Sequence, residues 1–201
     1  MKFLFILCFL IPSISFSQSF GIRGGYNLST VRWVSDHDPN IDKLNSDITH
    51  KGGFQIGGNV DFKLSKILSI EPGLNFSAKG YKINHTVELN GTSLENTSKS
   101  TIYYLDIPAY FKATIRVGEV QLFGATGPYF GIALDIDGEN ALTIESHNRY
   151  DFGASFAVGA ELGRFEIGAF YDVGLKNNNP MTIIKSYNRS LKFSLGYRLG
   201  K

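Results

Sequence analysis

Residues 151–175, DFGASFAVGAELGRFEIGAFYDVGL, alternate between apolar and polar or small side chains with a period of two. The apolar positions are Phe152, Ala154, Phe156, Val158, Ala160 and Leu162, and then Phe165, Ile167, Ala169, Tyr171, Val173 and Leu175. Successive side chains of a strand point to opposite faces, so the pattern predicts two strands joined by a tight turn at Gly163-Arg164. The other face carries Asp151, Glu161, Glu166 and Asp172. Whether that charged face meets bulk water or lies inside the protein decides the fold class.

The first 17 of the 201 residues have the pattern of an export signal. Lys2 gives a positive start, an apolar stretch runs from Phe3 to Ile11, and Ser15-Phe16-Ser17 is a small-x-small cleavage pattern. We therefore expect a cleaved signal peptide at 1–17 and a single domain at 18–201. The one cysteine, Cys8, falls in the signal peptide, so we expect neither disulfides nor thiolate chemistry in the mature domain.

Composition narrows the class further. The 20 basic and 18 acidic residues nearly balance, which gives no electrostatic reason to expect a nucleic acid partner. No segment after the signal peptide has 18 consecutive apolar residues, so we expect no transmembrane helix. An aromatic content of 13% together with 22 glycines favours an all-β protein.

Period-two alternation continues along almost the whole chain and predicts eight strands. They span about 19–29, 52–64, 68–83, 101–116, 120–134, 150–162, 165–176 and 187–199. Short connections at 65–66, 117–119 and 163–164 alternate strictly with long, polar ones at 30–51, 84–100, 135–149 and 177–186. Asn90-Gly91, within one of the long connections, is expected to form its own hairpin tip and so to extend strands 3 and 4 beyond the rest. This alternation is typical of antiparallel up-and-down transmembrane β-barrels, which have short periplasmic turns and long extracellular loops.

The polar face of these strands carries equal numbers of basic and acidic residues. They are Arg23, Lys63, Lys79, Lys112, Arg116, Lys192 and Arg198, and Asp61, Glu71, Asp106, Asp151, Glu161, Glu166 and Asp172. An eight-stranded barrel is just wide enough for its own side chains to fill. Buried charges must be paired, so the balanced set predicts a structural ion network in a narrow lumen. Glycines also concentrate on the polar face, where long charged side chains need space.

The apolar face carries aromatic residues at both ends of the strands. Tyr26, Tyr103, Phe130 and Tyr171 lie toward the long connections, and Phe62, Phe111, Phe165 and Tyr197 lie toward the short ones. Aromatic girdles at both membrane interfaces are a feature of transmembrane barrels. We therefore expect the apolar face to contact lipid. Aromatic residues of an ordinary soluble barrel core are the alternative.

Five segments resemble the PorT-like outer-membrane β-barrel family of Gram-negative bacteria. They are FGIRGGYNLS (20–29), YLDIPAYFKA (104–113), GPYFGIAL (127–134), DFGASFAVGAEL (151–162) and NRSLKFSLGYRL (188–199). The resemblance implies an eight-stranded barrel in the outer membrane, and one member of the family is associated with protein secretion. Asp106 and Pro108 fit the family's YL-acid-apolar-P pattern, with Pro108 expected to mark a bulge. The ending Arg198-Leu199-Gly200-Lys201 departs from the aromatic C-terminus common in such barrels.

The expected function is that of an integral outer-membrane protein with a plugged, polar lumen, which works through its loops in binding, assembly, secretion or envelope structure. Its expected partners are outer-membrane lipid, the barrel-assembly machinery and a protein at the extracellular loops or periplasmic turns. We predict no catalytic, cofactor-binding or metal-binding residues. Two alternatives stay open. One is a hydrolase or acyltransferase in the loops that hold His37, His85 and His147, of which Asp36-His37-Asp38 also suggests a metal site. The other is a narrow channel in which the lumen charges conduct ions.

Overall fold

The computed structural model describes residues 18–35, 41–89, 92–138, 148–178 and 184–199, with only the backbone described at 42–44, 85–89, 92–96 and 138. The expected signal peptide at 1–17 and the expected hairpin tip Asn90-Gly91 lie outside the described residues.

Eight antiparallel strands form a closed barrel in which each strand pairs with the next and the last pairs with the first. The strands are β1 (Gln18–Val34), β2 (Ile48–Lys63), β3 (Leu68–Leu89), β4 (Thr92–Val117), β5 (Val120–Gly138), β6 (Tyr150–Leu162), β7 (Phe165–Gly174) and β8 (Lys185–Arg198). Closure leaves no unpaired sheet edge along the wall of the barrel. The predicted eight-stranded up-and-down barrel is confirmed.

A short helix, α1 (Ile41–Asp47), lies in the first long connection, where the sequence pattern predicts none. Asn45 holds the helix to the barrel: its side chain accepts a hydrogen bond from the Trp33 amide and donates one to the Trp33 carbonyl, each at 2.9 Å. Among the described residues, no helix has the length and apolar character needed to cross a membrane.

The short turns form where the sequence predicts them. Gly118 and Gly163 occupy the turns after β4 and β6 with φ of 65° and 60°, a left-handed conformation that favours glycine. The turn after β2 spans 64–67 rather than two residues, and the Ser65 hydroxyl accepts hydrogen bonds from the Ile67 and Leu68 amides. All three lie at one end of the barrel, the turn end, and the strand ends that flank the long connections lie at the other, the loop end.

β3 and β4 extend beyond the other strands, as the Asn90-Gly91 signal predicts, and they run past the predicted bounds 68–83 and 101–116 because the segment 84–100 is mostly strand rather than loop. Their pairing continues without interruption from Gly80↔Thr101 to Leu89↔Thr92. β2 pairs with β3 only as far as Ile83, and β5 pairs with β4 only as far as Ser100. The last part of β3–β4 is therefore a two-stranded ribbon that stands above the barrel.

The predicted bulge at Pro108 is absent. The register of β4 with β3 and with β5 is the same on both sides of Pro108, and the shift in β4–β5 falls between Tyr103 and Tyr104. Pairing with β3 is interrupted at Ile107 and Pro108, where proline has no N–H to donate, and resumes in the same register. The register shift lies instead near the end of the β5–β6 pairing, at Ile132↔Tyr150.

The apolar face of the strands points outward and the charged face points inward. In β6, Phe156 and Val158 are 52% and 65% exposed, whereas Asp151 and Ser155 are almost fully buried. The same alternation of burial runs along β7 and β8. This is the reverse of a soluble barrel, whose apolar residues fill the interior, and it is the arrangement that lipid requires.

Glycines on the two faces meet different surroundings. An added Cβ at Gly127, which faces inward on β5, would lie 1.9 Å from the Ala109 carbonyl oxygen. At Gly124, which faces outward on the same strand, a Cβ would meet no atom within 4 Å. Inward glycines thus let neighbouring backbones approach, whereas Gly124 only leaves a small hollow on the outer surface.

We expect Gly127→Ala to lower the free energy of unfolding by about 1–3 kcal/mol, because the methyl group forces the two backbones apart. Gly124→Ala should be neutral or stabilising by up to about 1 kcal/mol, because it only restricts the unfolded chain. Urea titration in lipid vesicles, followed by the fluorescence of the single tryptophan Trp33, measures both. Equal effects of the two substitutions would contradict the assignment of faces.

Candidate functional site

The inner face of the barrel gathers charged side chains from seven of the eight strands. Of the fourteen residues predicted to form the lumen network, the structure places twelve in the interior. These are Arg23, Asp61, Glu71, Lys79, Asp106, Lys112, Asp151, Glu161, Glu166, Asp172, Lys192 and Arg198. Each reaches the lumen because its position has the inward parity of its strand. They form two groups, one toward each end of the barrel.

The turn-side cluster consists of Arg23, Lys112 and Arg198 with Asp61, Glu71, Glu161 and Glu166. Arg23 Nη2 lies 2.7 Å from Glu71 Oε1 and 2.6 Å from Glu166 Oε1. Lys112 Nζ lies 3.0 Å from Glu71 Oε2 and 2.6 Å from Glu161 Oε1. Lys112–Glu71 joins the paired strands β4 and β3, whereas the other three ion pairs cross the lumen between strands that are not neighbours: β1 with β3, β1 with β7, and β4 with β6.

Arg198 completes this cluster at the turn end. Its Nη2 donates to Glu161 and lies 3.4 Å from Asp61 Oδ2. A pocket of about 30 Å³ beside it, lined in part by Asp61, Glu161 and Arg198, is large enough to hold water. The Arg198 side chain therefore lies between the ion pairs of the cluster and the turn-end rim.

The loop-side cluster consists of Lys79 and Lys192 with Asp106, Asp151 and Asp172. Lys79 Nζ lies 2.9 Å from Asp106 Oδ1, and Lys192 Nζ lies 2.5 Å from Asp172 Oδ2. Hydroxyl groups supply further donors: Ser77 donates to Asp106 at 2.6 Å, and Ser155 donates to Asp172. Two lysines thus hold two aspartates, with serines completing the carboxylate hydrogen bonds.

Asp151, the third acid of the loop-side cluster, is held by neutral donors. Its Oδ2 accepts hydrogen bonds from the Tyr129 hydroxyl at 3.0 Å and from the Asn188 amide at 2.9 Å. Asn188 also donates to the Tyr104 hydroxyl at 3.3 Å. Hydrogen bonds to the charged form stabilise this buried carboxylate.

Aromatic side chains fill the space between the two clusters. The period-two pattern did not predict these inward-facing aromatic residues. Tyr110, Phe123 and Phe170 have inward parity and form one buried group with Ala157. Arg23 lies over the Phe170 ring with its Cζ 4.5 Å from the centroid, and Lys112 Nζ lies 4.2 Å from the Phe123 centroid. In the sequence, Phe170 is the one large apolar residue on the polar face of the segment 151–175. Such an exception to the period-two alternation is the signal by which an inward-facing aromatic residue can be found.

Lys63 and Arg116 do not belong to the network, which corrects the prediction for these two residues. Both side chains are exposed. Lys63 is the last residue of β2 and Arg116 the penultimate residue of β4. At the turn-end rim an inward-parity side chain reaches water instead of the lumen. The network therefore keeps five of the seven predicted bases beside all seven acids.

The histidine alternatives have no described geometry. Asp36-His37-Asp38 and His147 lie outside the described residues, as does the side chain of His85. Among the side chains that the structure does describe, no group of three or more His, Cys, Asp or Glu is arranged to hold a metal ion. The loop-borne enzyme is thus neither supported nor contradicted by these positions.

We expect Lys112→Met to lower the free energy of unfolding by about 3–5 kcal/mol, because it leaves Glu71 and Glu161 buried with fewer cations. Lys63→Met, the matched change at the exposed rim, should alter it by less than about 0.5 kcal/mol. Both values come from urea titration in vesicles, with the heat-dependent shift of the folded band on a gel as a check. Similar losses for the two variants would contradict the division between lumen and rim.

Comparison with known proteins agrees with this architecture. A family model described as an outer membrane protein β-barrel domain matches residues 16–179. No curated protein matches the chain. The chain is similar to the outer membrane protein OprG from Pseudomonas aeruginosa, with 13% identity over 92% of this chain and 98% of that chain and a TM-score of 0.53. This likeness supports the fold alone.

Two further solved structures are less similar in shape. Ail, the attachment invasion locus protein of Yersinia pestis, has 15% identity over 90% of this chain and 98% of that chain, with a TM-score of 0.43. Neisserial surface protein A has 9% identity over 90% of this chain and 98% of that chain, with a TM-score of 0.49. The narrower resemblance to the PorT-like family stays a prediction.

Proposed function

Because the chain belongs to the outer membrane protein β-barrel domain family and its barrel lies in the outer membrane, we propose that it acts there as a closed anchor. The barrel contacts lipid through its apolar wall and, like outer-membrane barrels in general, relies on the barrel-assembly machinery for insertion. Its work is done outside the lumen, by the segments at the loop end that contact a protein or envelope partner.

The blocked lumen carries this proposal. Lys112, Glu71, Asp106, Asp151 and Asp172 are among the largest fully buried side chains of the described structure. Together with the aromatic group between the clusters they occupy the cross-section at several levels. Passage of an ion would require breaking buried ion pairs that span the barrel, which is costly in a narrow interior of low polarity. The charges are better explained as a structural plug than as a path.

The β3–β4 ribbon supplies the surface for a partner. A strand of about 9–11 residues crosses a membrane, yet β3 has 22 residues and β4 has 26. Part of the excess is paired backbone from Asn84↔Thr97 to Leu89↔Thr92, which holds the ribbon in an extended shape above the barrel. The resemblance to the PorT-like family favours a role in assembly or secretion for such a contact, and binding or envelope structure are the other forms of the same proposal.

The proposal includes no catalytic step. The buried acids and bases are engaged with one another inside the barrel, where a substrate at the membrane surface does not reach them. A narrow channel and a loop-borne enzyme are the competing functions, and the first is tested directly by conductance.

Purified protein reconstituted in planar lipid bilayers should give no discrete conductance steps, because the ion-paired plug closes the lumen. A general porin in the same bilayers serves as the positive control. Reproducible steps from the native protein that change in size with Lys79→Met would establish a conducting path and overturn the closed anchor.

Removal of residues 85–96, with an Asn-Gly turn joining Asn84 to Thr97, should leave the barrel folded and abolish partner contacts. Asn-Gly fits a two-residue hairpin turn, so the remaining strands keep their register. Chemical cross-linking in native outer membranes, followed by purification, compares proteins attached to the full chain and to the shortened chain. A folded, heat-shifting shortened chain that retains the same cross-linked proteins would exclude the ribbon as the contact surface.

A further inference from the structure

The outer wall of the barrel carries an ordered row of aromatic residues on three neighbouring strands. Phe54 of β2 lies against Phe76 of β3, with ring centroids 5.9 Å apart, and Phe76 stacks on Tyr103 of β4 at the same distance and an interplanar angle of 11°. Phe54 is half exposed. This row belongs to the aromatic girdle at the loop end, where the hydrocarbon layer meets the polar layer of the membrane.

The same three strands each carry a lysine beyond this row, on the loop side. Lys82 of β3 and Lys99 of β4 are directly opposite each other in the antiparallel pair. Lys51 of β2 runs toward them over Gly80: its Cδ lies 3.1 Å from the point that a Cβ on Gly80 would occupy. Gly80 precedes Lys82 by two residues and therefore shares its face of β3. The three lysines define what we call the lysine patch.

The lysine patch holds more positive charge than its surroundings neutralise. Like charges directly opposite on paired strands destabilise a sheet. Burial and the ammonium groups of Lys82 and Lys99 lower the pKa of the Lys51 amine, and the carboxylate of Asp137 offsets only part of this. Among the side chains that the structure describes, the three lysines face Asp137 and, opposite Tyr103, Asp135 of β5. The remaining positive charge is one that an anionic ligand would stabilise.

The height of the patch relates it to the membrane. Tyr103 pairs with Ala78, and Lys99 pairs with Lys82 four residues further along. At about 3.3 Å per residue, the patch lies about 13 Å beyond the aromatic row. The stem of a lysine side chain can lie along an apolar surface while its ammonium group stays in a polar layer. The three ammonium groups can therefore lie closer to the aromatic row than the backbone of the patch does. A molecule that contacts both the aromatic row and the lysine patch therefore needs apolar chains at the row and anionic groups at the patch.

We propose that the lysine patch and the row of Phe54, Phe76 and Tyr103 together bind one phosphorylated glycolipid of the outer leaflet. The acyl chains pack on the aromatic row, and the phosphate groups of the sugar head lie among the three ammonium groups. The patch faces sideways on the barrel wall, not into the lumen opening, so its neighbour is the lipid layer rather than a solute passing along the axis. This site is separate from the β3–β4 ribbon beyond residue 84 and does not depend on the partner proposed for it.

Binding of bisphosphorylated lipid A to the full-length barrel in detergent micelles tests the site, with dephosphorylated lipid A and inorganic phosphate as comparison ligands. Native mass spectrometry counts bound lipid, and titration gives Kd. We expect the native protein to bind bisphosphorylated lipid A at least about tenfold more tightly than the dephosphorylated form, since each lysine near an anionic lipid surface contributes favourably. The variant Lys51→Gln, Lys82→Gln, Lys99→Gln should lose this preference.

The matched control is Lys63→Gln, Lys66→Gln, Arg116→Gln, which removes three exposed positive charges at the turn end and should keep the preference. If the patch variant does not fold, as judged by its heat-dependent gel shift, single Lys82→Gln and Lys99→Gln variants should each weaken binding about three- to fivefold. Equal affinity of the native protein for the two lipids, or an unchanged preference in the patch variant, would overturn the proposal. Full displacement of lipid A by millimolar inorganic phosphate would assign the patch to free phosphate and overturn the glycolipid.

Discussion

Buried charge that must find a partner inside the barrel is the constraint on which this structure depends. An eight-stranded barrel leaves little room for water, so each inward acid or base needs a partner from another strand. Arg23 links β1 to β3 and β7, and Lys112 links β4 to β3, β6 and β7. These ion pairs take the place of the apolar packing of a soluble core, and all of them except Lys112–Glu71 connect strands that share no backbone hydrogen bonds.

Because buried charges must be paired inside the barrel, we expect the functional surfaces to lie outside the lumen. A lumen filled by paired charges and by Tyr110, Phe123 and Phe170 offers no binding cleft of the usual kind. The remaining surfaces are the lipid-facing wall and the loop end. The β3–β4 ribbon lies where the two strands extend past their last pairs with β2 and β5, and the lysine patch lies next to that point on the barrel wall, where Lys82 still pairs with Thr49 of β2. The additional length of β3 and β4 thus provides a surface for binding while the eight-stranded barrel stays the same.

Much of the fold follows from the sequence because the period-two pattern is local. It placed all eight strands, the short turns and the inward acids, and it located twelve of the fourteen network residues. It pointed to the extension of β3 and β4 through the Asn90-Gly91 hairpin signal. It ended the two strands at 83 and 101, however, because 84–100 is rich in polar residues that favour loops, and strand pairing overrides that preference. It also placed Lys63 and Arg116 in the lumen, because parity alone does not say where a strand ends relative to the rim.

The sequence by itself determined that each strand has one lipid-compatible face and one charged face, and therefore that a closed barrel with a polar interior is the stable solution. Only the tertiary structure decided which charges meet. Ion pairing depends on strand register and on the stagger of strands around the barrel. Neither can be predicted from the apolar–polar alternation within a single strand. For the same reason the facing lysines Lys82 and Lys99, 17 positions apart in the chain, became visible only when β3 and β4 were paired.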